Sequence, residues 1–129
     1  MIKTNHGKAY AAFIALNGIR NSVKGLDALH VFHMKNKLKE SAEFLGEEEM
    51  RLVQECGGTV GENGTLTIPD AGKRAKYIAE RKKLDELECE IDAEPVVIRI
   101  DRCPDVTGEQ IEMLAGFVEF AEVENNGDK

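Results

Sequence analysis

Apolar residues recur every seventh position at Val31, Leu38, Leu45 and Leu52, with Met34 and Ala42 between them, in a stretch from Val23 to Cys56 that contains no proline. That spacing predicts a long amphipathic helix with a seam lying along a second helix. A matching seam follows in Tyr77, Leu84 and Ile91, flanked by Ile78 and Leu87, and predicts a helix from about Asp70 to Ile91. Pro69 suits a first helical turn and Asp70 a helix N-terminus. Between the two seams, Gly57-Gly58 closes the first helix. The run Thr59-Val60-Gly61-Glu62-Asn63-Gly64-Thr65-Leu66-Thr67-Ile68 then places β-branched residues on both sides of an Asn-Gly pair, which predicts a β-hairpin. Gly25 and Gly46 each cost about 1 kcal/mol relative to alanine in a helix, so a bend is expected near Gly46.

The flanking segments are shorter. Met1–Thr4 reads as a strand, and Asn5 as the N-cap of an apolar helix whose inward face is Tyr10, Phe13, Ile14 and Asn17. Asn17-Gly18 supplies a stop, and Asn21-Ser22 a fresh cap for the long helix. Downstream, Pro95-Val96-Val97-Ile98-Arg99-Ile100 predicts a strand opened by proline. Thr107 and Gln110 have capping-box spacing, which predicts a helix with Ile111, Leu114, Phe117, Val118 and Ala121 facing inward, before a polar tail from Glu124 to Lys129. The expected fold is α+β and mainly helical: a long antiparallel helix pair joined by a β-hairpin, with a short strand and a C-terminal helix. A 30-residue helix extends about 45 Å, which outruns a compact domain of this length, so an elongated single domain over residues 1–129 is expected.

Composition narrows the class. With 42% apolar, 32% charged and 5% aromatic residues and no Trp among 129, the chain is neither collagen-like, disulfide-scaffolded nor wholly disordered. Its longest apolar stretch, Ala9–Leu16, is too short for a bilayer, and no leader pattern is visible. Three scattered cysteines without a CxxC spacing fit a reducing cytoplasm. The net charge of −7 is unevenly spread: residues 1–40 carry seven Lys/Arg against Asp27 and Glu40, whereas residues 41–91 net −5 and residues 92–129 net −7. This balance disfavours direct nucleic-acid binding, which runs on cations at phosphates, and suits docking on a basic protein surface.

Chemical motifs are sparse. His30 and His33 share a helix face and with Cys89 or Cys103 would make a zinc site, but the second close ligand pair that such sites carry is missing; the plainer reading is two partly exposed histidines and three small buried thiols. Gly57, Gly58, Gly61 and Gly64 follow a helix and precede a strand, the reverse of a phosphate loop. Ser22 and Ser41 fall where caps or helix surfaces are expected, outside any nucleophile elbow. The runs Glu47-Glu48-Glu49 and Asp85-Glu86-Glu88-Glu90 point in several directions and read as solvated faces, not as an opposed acid–base pair. Lys35, Lys37 and Lys39 on the long helix and Lys73, Arg74, Lys76, Arg81, Lys82 and Lys83 on the next would align as a basic stripe, but they lack aromatics for base stacking and read better as helix-surface ion pairs. No enzyme, metal or cofactor is expected.

The layout resembles an uncharacterised family of small phage and prophage proteins of Gram-positive bacteria. The resemblance runs through Ile2-Lys3-Thr4-Asn5 and its short apolar helix, the Lys35–Leu52 helix with its acidic end, and Gly61-Glu62-Asn63-Gly64 leading into a charged helix. It continues through Val96-Val97-Ile98, Val106-Thr107-Gly108-Glu109-Gln110 and Leu114–Glu119, with Gly108 standing where members place a proline. It implies a phage origin near tail and lysis genes and carries no active-site residues. The function expected is a non-enzymatic protein-binding factor, in its sharpest form an anti-CRISPR-like inhibitor whose acidic surface occupies the basic channel of a host antiviral defence nuclease. The alternative is a virion-associated or tail-assembly protein; a nucleotide-sequestering binder or small enzyme comes third, and self-association is compatible with the seams. The residues expected to meet the partner are Glu62, Asn63 and Gly64 at the hairpin tip and the acids Glu47, Glu48, Glu49, Asp85, Glu86 and Glu88.

Overall fold

The computed structural model describes residues 1–122; the expected polar tail from Glu124 lies outside them. In chain order the elements are β1 (Ile2–Asn5), α1 (His6–Ile19), α2 (Gly25–Glu55), β2 (Thr59–Val60), β3 (Leu66–Thr67), α3 (Ala71–Glu86), β4 (Glu88–Ile91), β5 (Val96–Arg99), a 3₁₀ turn at Ile100–Arg102, α4 (Gly108–Met113) and β6 (Val118–Ala121). The fold is α+β and mainly helical. α2 spans 31 residues, about 46 Å, and runs through Gly46 as unbroken helix.

Local signals explain most boundaries. Asn5 Oδ1 accepts from the Lys8 amide at 2.8 Å and caps α1, and Asp70 caps α3 by accepting from the Lys73 amide at 2.8 Å. Thr107 and Gln110 close a reciprocal capping box on α4. Pro69 therefore stands ahead of the cap, outside the first turn of α3. The β2–β3 hairpin pairs Val60 with Leu66. Its turn is a three-residue loop closed by the Gly61 amide on the Thr65 carbonyl at 2.8 Å, with only Gly64 at positive φ (+80°). This is the bulged turn in which one left-handed residue suffices, rather than the two that a primed Asn-Gly turn needs.

The sequence misplaces the inner face of α1. Tyr10 and Ile14 are exposed, whereas Ala9, Ala12, Ala15, Leu16 and Ile19 are buried. Small side chains let α1 lie close against the first half of α2, where Val31, Met34 and Leu38 meet it in the main core. α1 also runs past Asn17-Gly18 to Ile19, and α2 starts after Lys24 with no side-chain cap. Leu45, Val53, Cys56 and Ile68 are buried outside that main core, along the far half of α2 and the foot of the hairpin.

The second seam is shorter than its periodicity suggests. α3 ends at Glu86 and buries none of its residues below the surface: Tyr77 and Leu84 are half-buried and Ile78 is exposed. Ile91 belongs to β4, which pairs antiparallel with β1, Ile2 opposite Ile91 and Asn5 opposite Glu88. The expected C-terminal helix also divides. α4 stops at Met113, Gly116 takes φ +88°, and Val118–Ala121 runs as β6 parallel to β5, Val96 opposite Val118. Phe117 and Val118 are buried as expected, but on a strand and its approach. Both strand pairs join residues far apart in sequence and seal the base of the core. The α2–α3 pair with its hairpin forms an arm beyond that base.

Candidate functional site

The acids picked out by the sequence occupy three places. Glu47, Glu48 and Glu49 lie on the far half of α2, Glu62, Asn63 and Gly64 at the exposed hairpin tip, and Asp85, Glu86 and Glu88 around the α3–β4 junction. Several are already engaged. Arg81 of α3 donates from Nε to Glu49 and from Nη1 to Asp85, which ties α3 to α2. Burial alone would lower the Arg81 pKa, but the hydrogen bonds and charges of those two carboxylates raise it. Tyr77, beside the same cluster, is raised by burial and by the Glu49 charge, against the opposing effect of Arg81. Glu48 Oε2 is a buried oxygen 2.9 Å from Arg51 Nη2, an ion pair outside hydrogen-bonding geometry. Glu47, Glu62, Glu86 and Glu88 are exposed, and among the described residues they form no ion pair.

The basic clusters do not merge. The Arg81–Glu49 contact fixes the offset of the antiparallel pair, so Lys73–Lys83 runs beside the far half of α2, while Lys37 reaches Asp92 at 3.9 Å and Lys39 reaches Glu43 at 3.8 Å. Lys35 sits 5.8 Å above the Phe13 ring. The arm thus presents an acidic α2 side and a basic α3 side. Between them lies a cleft of about 200 Å³ floored by Leu52, Leu84 and Leu87 and rimmed by Glu55, Glu80 and Lys83.

His30 and His33 face a cleft shared with Asp92 and Glu94. Cys89 and Cys103 lie elsewhere, and among the described residues no three His, Cys, Asp or Glu side chains are grouped to hold a metal ion. Cys56 and Cys103 are buried and Cys89 half-buried. Ser41, expected on a surface, is instead buried in mid-α2 with its Oγ 2.6 Å from His6 Nδ1. No local pattern announces that pair, because the helix carrying Ser41 and the strand–helix junction carrying His6 meet only through tertiary packing.

Burial raises the Cys103 thiol above its ordinary value of 9.0, aided by Asp105 and Asp27, and burial also raises Cys89. A raised folded-state pKa leaves stability intact below the unfolded value and erodes it above, where the unfolded chain releases its protons first. Urea midpoints are therefore expected to hold up to about pH 8 and to fall by about pH 10, with Cys103→Ala reducing the fall.

Among the described residues no helix is long and apolar enough to cross a membrane. Comparison with protein-family models, with curated proteins and with solved structures gives no match for this chain.

Proposed function

We propose that the chain is a non-enzymatic protein-binding factor that docks on a basic partner surface through the acids of its helical arm. The observation carrying this reading is the contrast within the acidic set. Glu49 is spent on holding α3 to α2 through Arg81, and Glu48 and Asp85 on pairs within their own helices, whereas exposed Glu47, Glu62, Glu86 and Glu88 have no ion pair among the described residues. Exposed carboxylates favour encounter with a cationic surface, and those carried on regular elements (Glu47 on α2, Glu86 on α3, Glu88 on β4) lose little ordering entropy on docking. In the phage setting suggested by the layout, the partner is a host antiviral defence nuclease whose nucleic-acid channel the acidic side would fill.

Pull-down from host lysate is expected to recover such a nuclease. Recovery of the chain from purified virions instead would favour a tail-assembly role. Charge reversal at Glu47, Glu62, Glu86 and Glu88 together is expected to slow association on the order of tenfold at low salt, with little change in dissociation. An unchanged association rate in surface-plasmon measurements would remove these acids from the interface.

A further inference from the structure

A helix that is apolar nearly all round, as α1 is, belongs under cover on every side. Its alanine face lies against α2, but Tyr10 and Ile14 on its outer face are exposed. The first half of α2 carries a second exposed stripe. Val31, Met34 and Leu38 are buried, and helical spacing puts Leu26, Leu29, His33, Asn36 and Glu40 on the opposite side with Phe32 at their flank; all six are exposed. Two contacts align the helices: His6 Nδ1 meets Ser41 Oγ at 2.6 Å, and Lys35 Nζ stands 5.8 Å from the Phe13 ring centre. Going forward along α1 from His6 to Phe13 thus goes back along α2 from Ser41 to Lys35. Tyr10 then lies level with about Leu38 and Ile14 with about Met34, so the two outer faces adjoin.

The size of this face fits a subunit contact. Tyr10, Ile14, Leu26, Leu29 and Phe32 are between 37% and 65% exposed, which leaves about 400 Å² of apolar surface per chain at ordinary side-chain areas. Two such faces together would cover about 800 Å² of apolar surface. With roughly two-thirds of a homodimer contact apolar, the whole comes to about 1,200 Å², the lower end for a specific pair. The charges at its ends are complementary to themselves in reverse. Lys24 stands eight residues before Phe32 and Glu40 eight residues after it. Both are exposed, and among the described residues neither forms an ion pair.

We propose that the outer face of α1 and the first half of α2 is the interface of a symmetric dimer, covered by a second copy of this chain with the two α2 helices antiparallel across Phe32. The two-fold axis at Phe32 brings Lys24 of each copy level with Glu40 of the other. It also brings Leu29 level with the second copy's Lys35, hence with its Phe13, and Leu26 level with the second copy's Leu38, hence with its Tyr10. A parallel pair in register would instead set Lys24 on Lys24 and Glu40 on Glu40, which like charges oppose. The overlap ends at Glu40, short of the acids of the arm, so this contact goes beyond the reading of the arm and leaves both arms free, pointing in opposite directions.

Sedimentation equilibrium of the full chain over a concentration series tests the pairing. A monomer–dimer equilibrium is expected, with a dissociation constant on the order of micromolar. Phe32→Glu sets two carboxylates together at the axis and should weaken the dimer about a hundredfold, with an unchanged circular-dichroism spectrum because the position is exposed. Lys24→Glu and Glu40→Lys should each weaken it about tenfold, and the two combined in one chain should restore it. Ile78→Glu, on the arm, should leave the dimer as it is. A wild-type chain monomeric up to about 0.5 mM, a dimer that survives Phe32→Glu, or a double variant that fails to recover would each overturn the pairing. Monomeric wild-type chain that co-sediments with vesicles of anionic lipid would overturn it too, by giving the face a different occupant.

Discussion

Truncating Phe117 to alanine is expected to cost about 3–5 kcal/mol of stability, the largest effect of any single change considered for this chain. The ring is 2% exposed and sits with Ile98, Leu114 and Val118 in the core sealed by the β5–β6 pair. Removing it leaves a cavity that strands fixed by a parallel ladder cannot collapse to fill. The matched control is Ile78→Ala on α3, where the side chain is 66% exposed and the change should stay within about 0.5 kcal/mol. The seam reading of the sequence expects Ile78 to share in the helix contact; the structure separates the two positions sharply. Urea unfolding followed by circular dichroism decides the matter, and equal costs at the two positions would contradict this placement of the core.

Substitution of Gly7 by alanine is expected to destabilise by about 1–3 kcal/mol, although alanine is the better helix former. A Cβ at Gly7 would stand 2.8 Å from Asp85 Cβ and 3.1 Å from the Asp85 carbonyl oxygen. A backbone oxygen cannot swing aside, so α1 must retreat from the end of α3. That retreat strains the backbone bond from the His6 amide to the Leu87 carbonyl. Gly46→Ala is the informative opposite: its added Cβ meets nothing within 4 Å, so the gain in helix propensity, up to about 1 kcal/mol, should appear undiminished. Melting curves of the two variants should move in opposite directions. A rise for Gly7→Ala would mean that α1 and the α3–β4 junction are not in contact.

What the sequence discloses is local. The spacing of Val31, Leu38 and Leu45 carries the long helix and its buried stripe, because a strongly amphipathic face contrasts with its charged surroundings. Turn and cap chemistry at Asn5, Gly64, Asp70 and Thr107 is likewise readable, since each acts within a few residues. α1 defeats the same method. It is apolar nearly all round, so periodicity offers no contrast, and Ala9, Ala12 and Ala15 are buried with Leu16 and Ile19 while Tyr10 and Ile14 stay near water. Leu84 and Ile91 keep a heptad spacing across a change from helix to strand at Leu87, where nothing in the pattern forces the break. Phe117 and Val118 are buried in either a helix or a strand, and only the left-handed Gly116 distinguishes the two. At the candidate surface, the sequence names the acids but not their engagement, because the Arg81 link between Glu49 and Asp85 is a property of the helix offset.

Pairing Ile2 with Ile91 and Val96 with Val118 also sets an order of events during synthesis. As the nascent chain leaves the ribosome, α1 and α2 can dock early, since their contacts need only the short Arg20–Lys24 connection. β1 then waits without a neighbour until β4 emerges, and the last layer closes only after translation has passed Val118. During that interval the half-built core is open to water, and a chaperone or a neighbouring nascent chain has its best opportunity to bind.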